Sequence, residues 1–351
     1  MPAMTLSHEK TLALVYKNFA TPIGVSHIGL GVSALNTAKV LRARRNRVLI
    51  WPVKDFSGFL QNLHANPHVT HVNVSAPWFP TMDLAKLAYD NPEIFFSVCS
   101  HSNVGFLQAD TRALKLIREE LDLEQNSFNF RTAGNSLRYC DWIAKTYRRP
   151  CVYLPNLYYL DHLSGKPNRI FGDGSLRIGA FGATRPLKNL MAAGAAALTI
   201  GQDLRVPLEF WISGGRPDGG HGVVTALREM YAGLPDARLV ENVWQQWSDF
   251  RRTIASMHLL LQPSYTESFN VVTADGVAEG VPSVVSEAID WAPRHWKADV
   301  DDPLDIARVG RQLLVDPQAS RDGLTALQAH NTQGIAAWEN WINTGGLPVT
   351  I

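Results

Sequence analysis

Short apolar runs alternate with helix-period segments along nearly all of this 351-residue chain, and they do so in two series. In the first, apolar β-prone runs fall at Arg47–Val53, His71–Ser75, Ile94–Cys99, Phe128–Arg131 and Cys151–Leu154, with helical periodicity at Ala34–Arg44, Phe59–His64, Met82–Tyr89, Arg112–Glu120 and Leu137–Thr146 between them. The second restarts the rhythm. Its runs are Leu176–Phe181, Leu208–Ile212, Arg238–Val240, His258–Gln262 and Ser283–Ser286, separated by helical segments at Asn189–Leu198, Thr225–Tyr231, Trp247–Ser256 and Val272–Glu279. Short apolar strands alternating with amphipathic helices imply parallel sheets with crossover helices. The expected fold is α/β, with two Rossmann-like doubly wound domains facing across a cleft.

The break between the series is the Gly/Pro/Asp/Ser-rich stretch 161–175, which reads as a linker. The expected domains are therefore 1–160 and 176–323. Residues 324–351, rich in aromatics at Trp338 and Trp341, read as a C-terminal helix crossing back to the first domain. Two domains also suit the length. In such sheets ligands bind outside the carboxyl ends of the strands, so chemistry is expected on the loops that follow them.

Composition narrows the classes. The chain is 46% apolar and 19% charged, enough apolar content for a real core. No apolar run reaches the roughly 18 to 20 residues that cross a bilayer. The N-terminus lacks the pattern of a secretory leader, and Cys99, Cys140 and Cys151 form no CxxC pair. A cytoplasmic protein is the simplest expectation (a host cytoplasm if the source is viral). The net charge of +1 conceals an asymmetry: residues 1–160 hold 17 Lys+Arg against 11 Asp+Glu, a balance of +6, and the remainder is acidic. That asymmetry hints at an anionic partner for the first half. No metal site is expected, since the histidines show no ligand spacing. Asp299-Val300-Asp301 reads as a solvated acidic loop, and the run Arg42, Arg44, Arg45, Arg47 as a solvated helix end.

Three post-strand loops in the second half carry the candidate chemistry. Gly182 to Asn189 leads into a helix and offers Arg185 and Lys188 together with backbone amides, a combination suited to a diphosphate. Ser213-Gly214-Gly215-Arg216 lets a ligand approach the backbone closely. Pro263 to Pro282 places Glu267 in a loop and Asp275 eight residues on, within a helix. Two such acids can accept hydrogen bonds from separate hydroxyl-bearing groups while the amides between them face an anion. A simply capped helix explains the same spacing.

The third loop resembles the E-x7-E signature of retaining glycosyltransferases of the GT-B fold, family 4 in particular. PSYTESFNVVTADGVAEGVPSVV keeps Pro263, Ser264, Glu267, Ser268, Phe269, Gly280 and Pro282 of that signature; Asp275 replaces a glutamate and Asn270 a glycine. IGAFGATRPLKNL resembles the family's strand-GRLxxxKG loop, with Ala183 at the arginine position. WISGG, VENVW and VYLPNL resemble further family segments. GLGVSALNTAKVL resembles the first glycine-rich loop and helix, and SVCSHSNVG places His101 past a strand.

The resemblance implies a glycosyltransferase whose first domain reads the acceptor and whose second binds a nucleotide-diphosphate sugar, such as a UDP- or GDP-sugar. No cofactor or metal is implied. Lys188, with Arg185, is implied to neutralise the departing diphosphate, Glu267 to contact the donor sugar and His101 to line its pocket. Amides of Ser268, Phe269, Asn270 and Val271 are implied to hold phosphate, Asp275 the ribose, and backbone near Val243 the base. Gly182, Gly214 and Gly215 belong to the donor loops, and Gly29 and Gly31 close on the diphosphate. Retention of anomeric configuration is expected. The acceptor stays open between hydroxymethylated pyrimidine in DNA and a polysaccharide, lipopolysaccharide or lipid precursor. A non-catalytic nucleotide-sugar binder also stays open.

Overall fold

The computed structural model describes residues 10–18, 28–108, 110–160, 174–215 and 219–346. Positions 161–173 of the expected linker, and Arg216, lie outside the described residues. The chain divides into two compact units. The first runs through Tyr159 and resumes at Thr332; the second holds the described residues from Leu160 to Asn331.

The first unit is built on six parallel strands: β1 (Thr11–Lys17), β2 (Arg47–Val53), β3 (His71–Ser75), β4 (Phe95–Ser100), β5 (Phe130–Gly134) and β6 (Val152–Tyr153), in the order β2-β1-β3-β4-β5-β6. Between them run α1 (Ile28–Ala43), α2 (Phe56–Ala65), α3 (Thr81–Asp90), α4 (Val104–Leu107), α5 (Thr111–Asn126) and α6 (Leu137–Tyr147). Short polar side chains start several of these helices. Asp55, Asp110 and Ser136 accept from the backbone N–H of Gly58, Ala113 and Tyr139 at 2.8, 3.0 and 3.2 Å, which satisfies amides that have no partner within the helix.

Sequence periodicity places no strand before Arg47, yet β1 is there, between β2 and β3. Successive side chains of a strand point to opposite faces. Ala13 and Val15 join Phe59, Leu63, Leu84 and Leu87 of α2 and α3. Leu12 and Leu14 join Ala34, Ala38 and Leu41 of α1. A strand covered on both faces shows an unbroken apolar run rather than alternation, and TLALVYK is such a run.

The second unit has five parallel strands: β7 (Leu176–Ala180), β8 (Leu208–Ser213), β9 (Ala237–Asn242), β10 (Leu259–Gln262) and β11 (Ser283–Val285), ordered β11-β10-β7-β8-β9. Its helices are α7 (Leu190–Leu204), α8 (His221–Tyr231), α9 (Trp247–Ala255), α10 (Val271–Ala278) and α11 (Pro303–Val315), with single 3-10 turns at Pro186–Lys188 and Arg294–Trp296. The sequence reading assigned no helix to Pro303–Val315. The signals are nevertheless local: Asp302 caps Leu304 N–H at 2.8 Å and Pro303 follows it. Ile306, Ala307, Val309, Gly310, Leu313 and Leu314 then form a buried stripe.

The last helix, α12 (Ala319–Thr344), contributes to both units. In the second, Gly323 lies so close to Trp296 that a Cβ there would sit 2.4 Å from the ring. In the first, Trp338 and Trp341 are buried against Leu154 and Leu157, and Trp338 Nε1 donates to Pro155 O at 2.8 Å.

Candidate functional site

In the second sheet, connections run outward to one side from β7 through β8 to β9, and to the other side from β10 to β11. The order therefore reverses between β7 and β10. Loops leaving two neighbouring strands toward opposite sides open a crevice at their carboxyl ends, where open α/β sheets take their ligands. The loops in question are 181–189 and 263–270, which contain Lys188 and Glu267.

Those two side chains meet. Lys188 Nζ pairs with Glu267 Oε1, both largely shielded from solvent. Glu267 Oε1 also accepts from Asn270 Nδ2 at 3.0 Å. Asn270 Nδ2 donates in addition to Gln262 Oε1 at 3.1 Å, and Gln262 Nε2 donates to Phe181 O at 3.3 Å. A continuous chain of bonds thus runs from the end of β10 to the end of β7. Two further bonds stitch the same loops together: Tyr265 N–H donates to Leu187 O at 3.0 Å, and the Asn189 side chain donates through Nδ2 to Pro263 O at 3.3 Å.

Gly182 lies beside the lysine. A Cβ on it would come 3.7 Å from Lys188 Cε, and its φ of +113° suits glycine alone. Its N–H donates to Ser213 Oγ, at the end of β8, at 3.1 Å. Arg185 stands at the start of the 3-10 turn, and Ala183 is buried. Gly214 N–H donates to Asn242 O at 2.6 Å, and a Cβ there would meet that oxygen at 3.1 Å. Gly215 has φ +79° with open space around it. Val243, just past β9, is exposed. An open cavity of about 610 Å³ flanks this loop, lined by residues that include Trp244, Gln245, Asp249 and Arg252. Lys188 and Glu267 are not part of its lining.

The stretch from Glu267 to Asp275 is divided in its burial. Ser268 is partly shielded, and Val271 begins α10. The Phe269 ring is buried, stacked on Trp291 at 5.6 Å and 5.2 Å from His330, while Trp291 Nε1 donates to Phe269 O at 2.7 Å. Phe269 anchors the loop, which leaves its backbone amide as the part able to serve a ligand. Asp275 is the fifth residue of α10 and 1% exposed. Its Oδ1 accepts from Trp247 Nε1 at 3.0 Å, with the Arg251 guanidinium 5.7 Å from the same ring.

Gly29, Gly31 and His101 belong to the first unit. Both glycines lie in the first turn of α1, Gly31 with its Cβ direction facing the Tyr16 ring at 3.1 Å. His101 follows β4 directly. Asn135 Nδ2, just past β5, donates to His101 Nδ1 at 3.3 Å, and burial pushes the imidazole down to about 4. His101 is therefore neutral at pH 7.

No family model matches the chain, and no curated protein matches it. Solved structures do match. The N-terminal domain of a Candida albicans trehalose-6-phosphate phosphatase aligns at TM-score 0.64 over 99% of both chains, with 9% identity. A UDP-forming α,α-trehalose-phosphate synthase from Burkholderia xenovorans, solved in complex with glucose-6-phosphate, gives 0.62 at 12% identity over 94% of this chain and 99% of that one. A sucrose-phosphate synthase from Thermosynechococcus elongatus gives 0.66 at 14% identity over 96% and 98%. The fold is GT-B.

Within the GT-B frame, the structure shows several site features that the sequence reading did not name. The helix cap after Glu267 is Asn270, whose Oδ1 accepts from Thr273 N–H at 2.9 Å; an asparagine directly before an apolar helical run is a legible cap signal. The roles of Gln262 and Trp247 had no such local signal. Asp299 and Asp301 are exposed, and Asp299 Oδ1 accepts from Asp301 N–H at 3.0 Å, as in an ordinary turn. Among the described residues, His295, Asp316 and Asp322 bring ligand-type atoms within 4.8 Å of one another. His295 Nε2 lies 3.4 Å from Asp322 Oδ2. No helix among the described residues is long and apolar enough to cross a membrane.

Proposed function

We propose that this chain is a glycosyltransferase that draws its sugar from a nucleotide-diphosphate donor bound by the second unit. The observation that supports it most is the junction of Lys188 with Glu267 at the point where strand order reverses. In the proposed reaction the bond from the anomeric carbon to the donor phosphate oxygen breaks, and that oxygen leaves with its electron pair as the nucleoside diphosphate. A bond forms from the anomeric carbon to an acceptor hydroxyl oxygen, whose proton passes to the departing diphosphate or to water. Anomeric configuration is expected to be retained.

Fixed cations and dipoles aimed at developing charge lower such a barrier. Lys188 and Arg185 take the diphosphate, together with the amides of Ser268 to Val271 at the N-terminus of α10. Gly182, Gly214 and Gly215 give it access to backbone. Glu267 takes hydroxyls of the transferred sugar. Asp275 is assigned to the ribose through the resemblance; its burial and its bond to Trp247 make that assignment the one most in need of test. The first unit is assigned the acceptor site, and through the resemblance also His101 for the donor-sugar pocket and Gly29 and Gly31 for closing on the diphosphate.

The acceptor we propose is a phosphate-bearing saccharide or saccharide precursor. The +6 balance of residues 1–160 favours an anion, and the structural relatives are named for sugar phosphates. Hydroxymethylated DNA is the weaker candidate, because +6 is modest against the several phosphate contacts of a duplex and no comparison supports it. Nucleoside diphosphate release, followed with UDP- and GDP-sugars and with hexose phosphates as acceptors, tests the proposal. Acceptor-dependent release with at least one pair is expected. Binding of a nucleotide sugar with no release under any condition favours the second reading, a non-catalytic binder, to which buried Ala183 at the family's arginine position lends its support.

A further inference from the structure

We infer that the Asn270 side chain is a positioning residue for Glu267. The inference rests on the reading of Glu267 as a contact to the donor sugar. At position 270 the chain leaves the loop and enters α10 with φ +62° and ψ +88°. Glycine adopts positive φ freely, and asparagine is among the side chains that follow it at least cost. Backbone conformation alone therefore explains why glycine and asparagine both suit this place. It does not explain what the asparagine amide does there.

The amide is fully engaged. Oδ1 accepts from Thr273 N–H at 2.9 Å and from Thr273 Oγ1 at 3.2 Å. Nδ2 donates to Gln262 Oε1 at 3.1 Å and to Glu267 Oε1 at 3.0 Å. Two donated and two accepted bonds are all that a primary amide can make, and the residue is 6% exposed. The pattern fixes the orientation: exchanging oxygen for nitrogen would set the NH2 against the Thr273 amide and an acceptor against two acceptors. Gln262 is anchored in turn on Phe181 O.

Glu267 is thus held from two sides by unlike groups. Lys188 supplies charge from a flexible stem with freely rotating donors. Asn270 supplies direction, because its amide cannot turn without losing three other bonds. A glycine at this position would leave Glu267 its counter-ion and remove the directed bond from Asn270 Nδ2.

Two variants separate this role from simple helix capping. Asn270→Asp keeps an acceptor for Thr273, and aspartate caps as well as asparagine does, but it replaces the donor 3.0 Å from Glu267 Oε1 with an acceptor. Asn270→Gly keeps the backbone conformation and loses every side-chain bond. For a positioning role, both variants are expected to lower kcat for the nucleotide sugar by about tenfold or more while binding the nucleoside diphosphate within about threefold of wild type. Asn270→Asp keeps its cap but is expected to melt below wild type, since it sets a second carboxylate against Glu267 Oε1 and Gln262 Oε1 in a buried place. Near-normal turnover by Asn270→Asp overturns the inference and leaves Asn270 a cap. So does a loss of nucleoside diphosphate binding that matches the loss of turnover in both variants. Wild-type protein that turns over no nucleotide sugar overturns the parent reading, and the inference with it.

Discussion

At the scale of single residues, Lys188 and Glu267 were legible because both belong to loops with a recognisable order of residue types, and the structure brings their side chains together. Gly182 was singled out through its loop's resemblance, and the structure adds a conformational requirement for glycine, φ +113°. The contributions of Gln262 and Trp247 were not legible. Each depends on which partner the fold sets opposite it, across as many as 81 positions for Gln262 and Phe181, and local spacing carries no trace of that. Lys188→Ala is expected to lower kcat/KM for the nucleotide sugar by about 100-fold or more, the size of effect seen when one transition-state charge partner is removed. Steady-state kinetics check it, and an unchanged kcat/KM counts against the assignment. Trp247→Phe removes the donor to Asp275 while keeping a ring of similar shape. If Asp275 holds the ribose, nucleoside diphosphate affinity changes in this variant, as titration calorimetry measures; an unchanged affinity makes the Trp247–Asp275 pair a packing device.

At the scale of elements, the alternation of strands and helices predicted most of both sheets, and two omissions have separate causes. β1 was missed because a strand buried on both faces has no period-two pattern to detect. α11 was passed over because the acidic residues before it read as loop, although Asp302 and Pro303 are ordinary helix-start residues. Helical glycines test the packing of that element. Gly310→Ala gains about 1 kcal/mol of helix propensity, but its Cβ would lie 2.7 Å from Ile200 and 3.1 Å from Leu259. Overpacking of a tight core costs about 1–3 kcal/mol. The variant is therefore expected to be less stable in urea, and a more stable one contradicts the packing described. Trp338, buried and bonded to Pro155 O, is a larger case: Trp338→Ala is expected to cost about 3–5 kcal/mol.

At the scale of the whole molecule, the chain is two α/β units, and the first holds two histidines that tie its stability to pH. Burial pushes His71 and His101, both in the first unit, down to about 4, with Lys10 adding to the effect at His71. Between pH 6.5 and about 4 these rings are neutral in the fold and protonated in the unfolded chain. The unfolded chain then binds more protons, so their contribution is complete above pH 6.5 and is lost as pH falls toward 4. His71→Phe, which keeps an aromatic ring in the stack with Phe95, is expected to lower Tm at pH 8 yet show a shallower fall between pH 6.5 and 4. Equal slopes would mean that His71 does not titrate as described.

The central claim is a nucleotide-sugar site where β7 and β10 diverge. A thermal-shift panel of UDP, GDP and their sugars, run on wild type and on Lys188→Ala, tests it most directly. One nucleotide at a hundred times its Kd stabilises the wild type by about 2.7 kcal/mol if the site exists, and the same concentration stabilises Lys188→Ala far less. Equal stabilisation of the two proteins, or none by any nucleotide, contradicts the account.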